Sequence, residues 1–146
     1  MRTDPDPRRR LALTQLLAGG ALVALPLLAA AQPAIPSTQL KFPKGSTGTS
    51  VKGQVKGPDN DARDYVLRAR AGQAMSVSMS SSSTSIYFNV LAPGSQEALF
   101  AGERMGGSSW SGKLPADGDY TVRVYLNRAA ARQGKSASYT LKVSVQ

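Results

Sequence analysis

Apolar side chains recur at every second position in five separate stretches of the chain. Met75, Val77 and Met79 alternate with Ser76, Ser78 and Ser80, the two-residue period of a strand with one buried and one solvated face. The same alternation runs through Tyr65-Leu67-Ala69, Ile86-Phe88-Val90, Tyr120-Val122-Val124-Leu126 and Tyr139-Leu141-Val143-Val145. Turn residues punctuate these runs: Gly57-Pro58-Asp59-Asn60, Ala71-Gly72-Gln73, Ala92-Pro93-Gly94, Met105-Gly106-Gly107 and Pro115-Ala116-Asp117-Gly118. Short strands with turns between them predict an all-β fold, an antiparallel β-sandwich of about eight short strands. Trp110, flanked by Ser109 and Ser111, reads as a half-buried strand position.

One segment carries helical character, a short turn near 127–133. Asn127 suits the N-cap, Ala129 to Ala131 favour a helical interior, and Gly134 can end it. Arg128 and Arg132 are four residues apart and project from one side of that turn, with no acidic residue between them. Like charges so placed repel by a few tenths of a kcal/mol, so local helix stability does not explain them. They are either a basic surface kept for a partner or ordinary solvated side chains.

Upstream of the alternating region the pattern changes twice. Arg8-Arg9-Arg10 precede a stretch from Leu11 to Leu28 rich in Leu, Ala and Val, and Ala29-Ala30-Ala31 supply small side chains before Gln32-Pro33. That order predicts a secretory signal over residues 1–31, cut after Ala31. Gly19-Gly20 and Pro26 interrupt the apolar stretch, which argues against a permanent membrane span. Arg9-Arg10 lack a following twin-arginine consensus, so ordinary Sec export is expected. Residues 32–50, rich in Pro, Ser, Thr and Gly, read as a tether in which Leu40-Lys41-Phe42 could add an edge strand. The folded domain is expected over 51–146.

Charge and composition narrow the chemistry. Removing four arginines and two aspartates with the signal takes the formal charge from +9 to +7, which points to an anionic partner. The chain has neither cysteine nor histidine. It therefore has no lipid-anchor cysteine, no disulfide, none of the usual zinc ligands, and no thiol or imidazole for nucleophilic catalysis. Only carboxylates remain. Asp59, Asp61 and Asp64 lack the later glycine and glutamate of a calcium loop, and Asp117-Gly118-Asp119 has the composition of a hairpin turn. No enzyme activity, metal or cofactor is implied. Nucleic acid would need stacking rings such as Tyr87, Phe88 and Tyr125, but export removes that partner and adjacent Tyr87 and Phe88 point to opposite sheet faces.

The run Ser111-Gly112-Lys113-Leu114-Pro115-Ala116-Asp117-Gly118-Asp119-Tyr120-Thr121-Val122-Arg123-Val124, then Asn127 to Arg132 and Tyr139 to Val143, resembles the periplasmic inhibitors of g-type lysozyme. Val55-Lys56-Gly57 to Tyr65 and Ala71-Gly72-Gln73 resemble the first half of that domain, so the likeness covers roughly Val51 to Val145. The layout is also similar to β-sandwich modules that follow secreted bacterial peptidases. The resemblance implies a periplasmic protein whose partner is g-type lysozyme, with Arg128 and Arg132 facing the enzyme's carboxylates. It places Asp117, Gly118, Asp119 and Tyr120 in a second contact loop, with the Tyr120 hydroxyl as a donor. Two positions differ from the family pattern: Asp117 stands where its loop motif has serine, and Pro58 where it can present a tyrosine. The other reading is a non-inhibitory envelope or glycan-binding module.

Overall fold

The computed structural model describes residues 34–146, so the predicted export signal and its cleavage after Ala31 lie outside the described residues. Nine strands follow in chain order: β1 Ser37–Gln39, β2 Gly48–Lys56, β3 Ala62–Ala69, β4 Ala74–Ser81, β5 Ile86–Leu91, β6 Ala98–Ala101, β7 Ser109–Lys113, β8 Gly118–Leu126 and β9 Ser136–Val145. Two short helices interrupt them, α1 Gly102–Met105 and α2 Arg128–Arg132. The strands form two sheets, β1-β3-β8-β5-β6 and β2-β9-β4-β7. This is the predicted all-β sandwich with its helical turn. All neighbours pair antiparallel except β1, which runs parallel to β3.

Each of the five alternating runs is a strand, and burial follows its parity. In β8 the residues Tyr120, Val122, Val124 and Leu126 are buried while Thr121, Arg123 and Tyr125 are half-buried on the outer face. β9 repeats the pattern with Tyr139, Leu141, Val143 and Val145 inward. The inner faces of the two sheets supply one continuous core, whose largest fully buried side chains include Tyr120, Phe88, Leu67, Met75 and Leu141. Trp110 is half-buried, as its serine neighbours indicate, and packs its ring on Phe100 at 6.4 Å between centroids. Gly112, two residues on, leaves room for it; a Cβ there would lie 2.6 Å from Trp110 Cζ2.

The expected tether over 32–50 needs correction. Thr38 lies beside Tyr65 in the β1–β3 register, the Leu40 amide donates to Val66 O at 2.8 Å, and Leu40 is buried. The second sheet begins already at Gly48. The Pro- and Thr-rich composition obscured this because an edge strand needs few apolar residues, and Pro36 serves as an acceptor, its carbonyl taking the Asp64 amide at 2.9 Å.

A buried tyrosine pair ties the sheets together. Tyr65 on β3 and Tyr139 on β9 bring their hydroxyls to 2.6 Å, with the rings edge to face at 6.3 Å. Gly53 on β2 makes the space, since a Cβ there would sit 2.9 Å from the Tyr65 hydroxyl. Desolvation and the shared hydrogen bond raise the Tyr139 pKa well above its ordinary value.

Candidate functional site

Strand β8 is the ruler for the site. Its nine residues span about 27 Å at the usual rise per residue, with the Asp117-Gly118-Asp119 turn at one end and α2 at the other. The residues that sequence resemblance gathers into one contact surface are therefore split between opposite ends of the sandwich.

At the α2 end, Asn127 is extended and its Oδ1 accepts the Ala130 amide at 2.8 Å, the side-chain cap its identity predicts. The Asn127 amide in turn donates to Ser85 O at 2.9 Å, which fixes the helix start to the β4–β5 connection. Ala130 and Ala131 are buried, whereas Arg128 and Arg132 are exposed. The helix leans on the β2–β3 turn. The Gly57 amide donates to Lys135 O at 2.9 Å, and a Cβ at Gly57 would fall 2.6 Å from the Ala131 carbonyl carbon.

Arg128 and Arg132 line a groove of about 360 Å³ with Pro58, Asp61, Glu103 and Tyr125. Neither arginine forms an ion pair among the described residues. Tyr125 points outward, opposite Tyr87 on β5, with ring centroids 6.1 Å apart. Its hydroxyl donates to Asn89 Oδ1 at 3.3 Å, and burial first and the Glu103 carboxylate second raise its pKa. Asn89 Oδ1 also accepts the Gly102 amide at 3.2 Å. Gly102 itself sits so close to β5 that a Cβ would be 2.6 Å from Phe88 O, and this brings Glu103 into the groove.

Glu103 has no signal in the sequence, because Gly-Glu-Arg-Met carries no strand or helix period in four residues. Tyr125 had a signal: with Tyr120, Val122, Val124 and Leu126 inward, strand parity turns position 125 outward. Next along the same face, Arg123 Nε and Nη2 donate to Asp64 Oδ1 and Oδ2 at 2.8 and 2.9 Å, a bidentate pair that raises the Arg123 pKa.

The other end, which the resemblance makes a second contact loop, is built as a tight structural turn with Asp117 and Asp119 exposed. Tyr120 is fully buried; its hydroxyl donates to Ala116 O at 2.6 Å and accepts the Ala116 amide at 3.1 Å. That is the tyrosine-corner arrangement, in which the ring joins the core and the hydroxyl holds the incoming turn, so its single donor is already used within the fold. Asp117 Oδ1 accepts the Ala71 amide at 2.7 Å, tying this turn to the neighbouring one. Gly118 has φ +139° and a Cβ there would lie 2.8 Å from Pro93 Cβ. Asp119 faces Arg68 at 3.8 Å on the exposed sheet surface.

No family model matches the sequence. The curated inhibitor of g-type lysozyme from Escherichia coli (strain K12) is 28% identical over 114 residues, covering 75% of this chain and 81% of the relative. Among solved structures, Aeromonas hydrophila PliG, a periplasmic lysozyme inhibitor of g-type lysozyme, superposes with a TM-score of 0.69 at 39% identity over 77% of this chain and 97% of that one. Salmonella Typhimurium PliG gives a TM-score of 0.62 at 26% identity over 77% of this chain and all of its own. The pre-peptidase C-terminal domain of a Bacillus anthracis collagenase, 14% identical over 79% of this chain and 99% of its own, shares the fold at a TM-score of 0.54.

Proposed function

The chain belongs to the family of periplasmic inhibitors of g-type lysozyme, and we propose that it blocks the enzyme's cleft with the α2 end of the sandwich. The protein is an inhibitor that works in the periplasm and whose partner is g-type lysozyme. It carries out no chemistry of its own on the wall.

The observation that carries the contact assignment is the presentation of Arg128 and Arg132. Both are exposed, unpaired among the described residues, and held on one side of a capped turn whose other side is buried. Glycoside hydrolases commonly work with a pair of carboxylates. Two planar guanidinium groups suit such a site, because each can donate two parallel hydrogen bonds to one carboxylate and strengthens as water is excluded. Asp61 and Glu103 in the same groove offset part of the repulsion between the two arginines. The net positive charge steers the protein toward an acidic cleft and speeds encounter.

The test is lysis of a peptidoglycan suspension by a g-type lysozyme with and without the purified protein, paired with a sizing column to show a stoichiometric complex. The protein slows lysis, and replacing Arg128 and Arg132 together by Ala removes inhibition while the circular dichroism and unfolding midpoint stay near wild type. Undiminished lysis at large molar excess overturns the function; full inhibition by the double variant overturns the assignment of the arginines.

A further inference from the structure

The charges of the domain are divided unevenly between its two sheets. On the five-stranded sheet, outward charges face each other: Arg123 with Asp64 and Arg68 with Asp119. The strands of the other sheet, β2, β4, β7 and β9, contain no Asp or Glu at all, while carrying Lys52, Lys56, Lys113 and Lys142, all exposed. Their remaining outward positions are almost entirely hydroxyl-bearing. Register places Ser50, Lys142, Ser78 and Ser109 in one row across the sheet, and Ser144, Ser76 and Ser111 in the next. These serines make no side-chain hydrogen bond within the described residues. The two aromatic residues of these strands turn inward, Tyr139 into the core and Trp110 onto Phe100.

We propose that this face is a second binding surface, for an extended glycan whose peptide stems carry free carboxylates, namely the peptidoglycan of the wall; the choice of polymer rests on the periplasmic reading above. Lys56 lies opposite Ser136, Lys52 opposite Thr140, Lys142 opposite Ser78 and Lys113 opposite Ala74. The four lysines therefore step diagonally across the sheet from corner to corner, over about 35 Å by strand rise and spacing. A compact anion meets only Lys52 and Lys142, roughly 8 Å apart on neighbouring strands by the same spacings. An extended polyanion meets all four. The surface beneath is concave, with two open depressions of about 780 and 740 Å³, one bordered by Lys142 and the other by Lys52. Serines are the commonest residues lining both, with Gly48 and Gly53 at their borders, which leaves hydroxyls for sugar and peptide groups. Without an outward ring the face offers no stacking to a neutral sugar, so charge and hydrogen bonding define its ligand.

Lysines on edge strands also discourage sheet-to-sheet aggregation, and Lys52, Lys56 and Lys113 lie on the edge strands β2 and β7. Lys142 does not: β9 is an inner strand of its sheet, where edge protection has no role.

Co-sedimentation of the protein with insoluble sacculi tests the proposal. The wild-type protein pellets with sacculi, less so as salt rises, and less so with sacculi whose carboxylates have been amidated or with neutral chitin. The K52Q/K113Q/K142Q variant loses binding at least about tenfold, and K142Q alone about threefold, by the usual worth of exposed ion pairs; the matching Lys→Arg variants retain it. Inhibition of lysozyme, read on a soluble substrate, is unchanged in these variants. The R128A/R132A protein behaves in the opposite way, pelleting normally without inhibiting. Equal pelleting of wild type and the folded lysine variants, or of native and amidated sacculi, overturns the proposal. Loss of pelleting in R128A/R132A instead would assign the wall to the arginine end.

Discussion

Gly57 and Ala131 touch backbone to backbone, at a point where the β2–β3 turn is pressed against the buried side of α2. No side chain separates them. The arginine-bearing helix is thus seated on a turn that only glycine lets approach, and the Gly57 amide completes the seat through Lys135 O at 2.9 Å.

Gly57→Ala is expected to push α2 off that seat, because the clash is with main-chain atoms that cannot rotate away. Overpacking of this kind costs about 1–3 kcal/mol. Thermal unfolding will show a lowered midpoint, and inhibition of g-type lysozyme will fall even at temperatures where the variant is folded. Inhibition equal to wild type would mean that the orientation of α2 is immaterial to binding.

Asn127 acts one step earlier, by starting the helix. Asn127→Ala removes the acceptor for the Ala130 amide, a loss of about 1 kcal/mol for a cap of this type. In a five-residue helix that is enough to fray the segment carrying both arginines, so inhibition weakens more than global stability does. Asn127→Asp restores the cap and with it inhibition, measured side by side in the lysis assay.

The sandwich was written in the sequence wherever burial alternates. The five alternating runs are β3, β4, β5, β8 and β9, because a buried sheet face forces its period on the residues that build it. β6 and α1 are four residues each and too short to show a period, and β2 spaces its apolar positions with Gly53, whose reason is the tyrosine pair on other strands. The site divides in the same way. Asn127, Arg128 and Arg132 are neighbours in sequence and stay together in space. The Asp117 to Tyr120 segment is equally recognisable, yet nothing local says that a nine-residue strand carries it to the far end, or that the Tyr120 hydroxyl already has its partner.

That division gives a sharp control. Tyr120→Phe leaves the ring in the core but abolishes both hydrogen bonds to Ala116, and is expected to cost about 1–2 kcal/mol. Because the tyrosine corner lies a full strand length from α2, inhibition by the folded variant stays at the wild-type level. A variant that unfolds normally but no longer inhibits would return Tyr120 to the contact surface.

Alkaline conditions test the bridge between the sheets. Tyr139 must keep its proton to remain buried against the Tyr65 hydroxyl, so its pKa in the folded protein lies above the ordinary 10.0. The unfolded chain therefore releases this proton first as pH rises. The bridge contributes its full stability below pH 10 and loses it progressively above, as unfolding becomes coupled to deprotonation. Tyr125, raised in the same direction by burial and by Glu103, adds to the trend. Urea midpoints are expected to be level from neutral pH to about pH 9.5 and to fall between about pH 10 and 11.5. Tyr139→Phe removes the titrating group and leaves the Tyr65 hydroxyl without its partner. It should unfold about 1 kcal/mol more easily at neutral pH, and its midpoint should decline less steeply above pH 10. Parallel declines in the two proteins would place the alkaline sensitivity elsewhere.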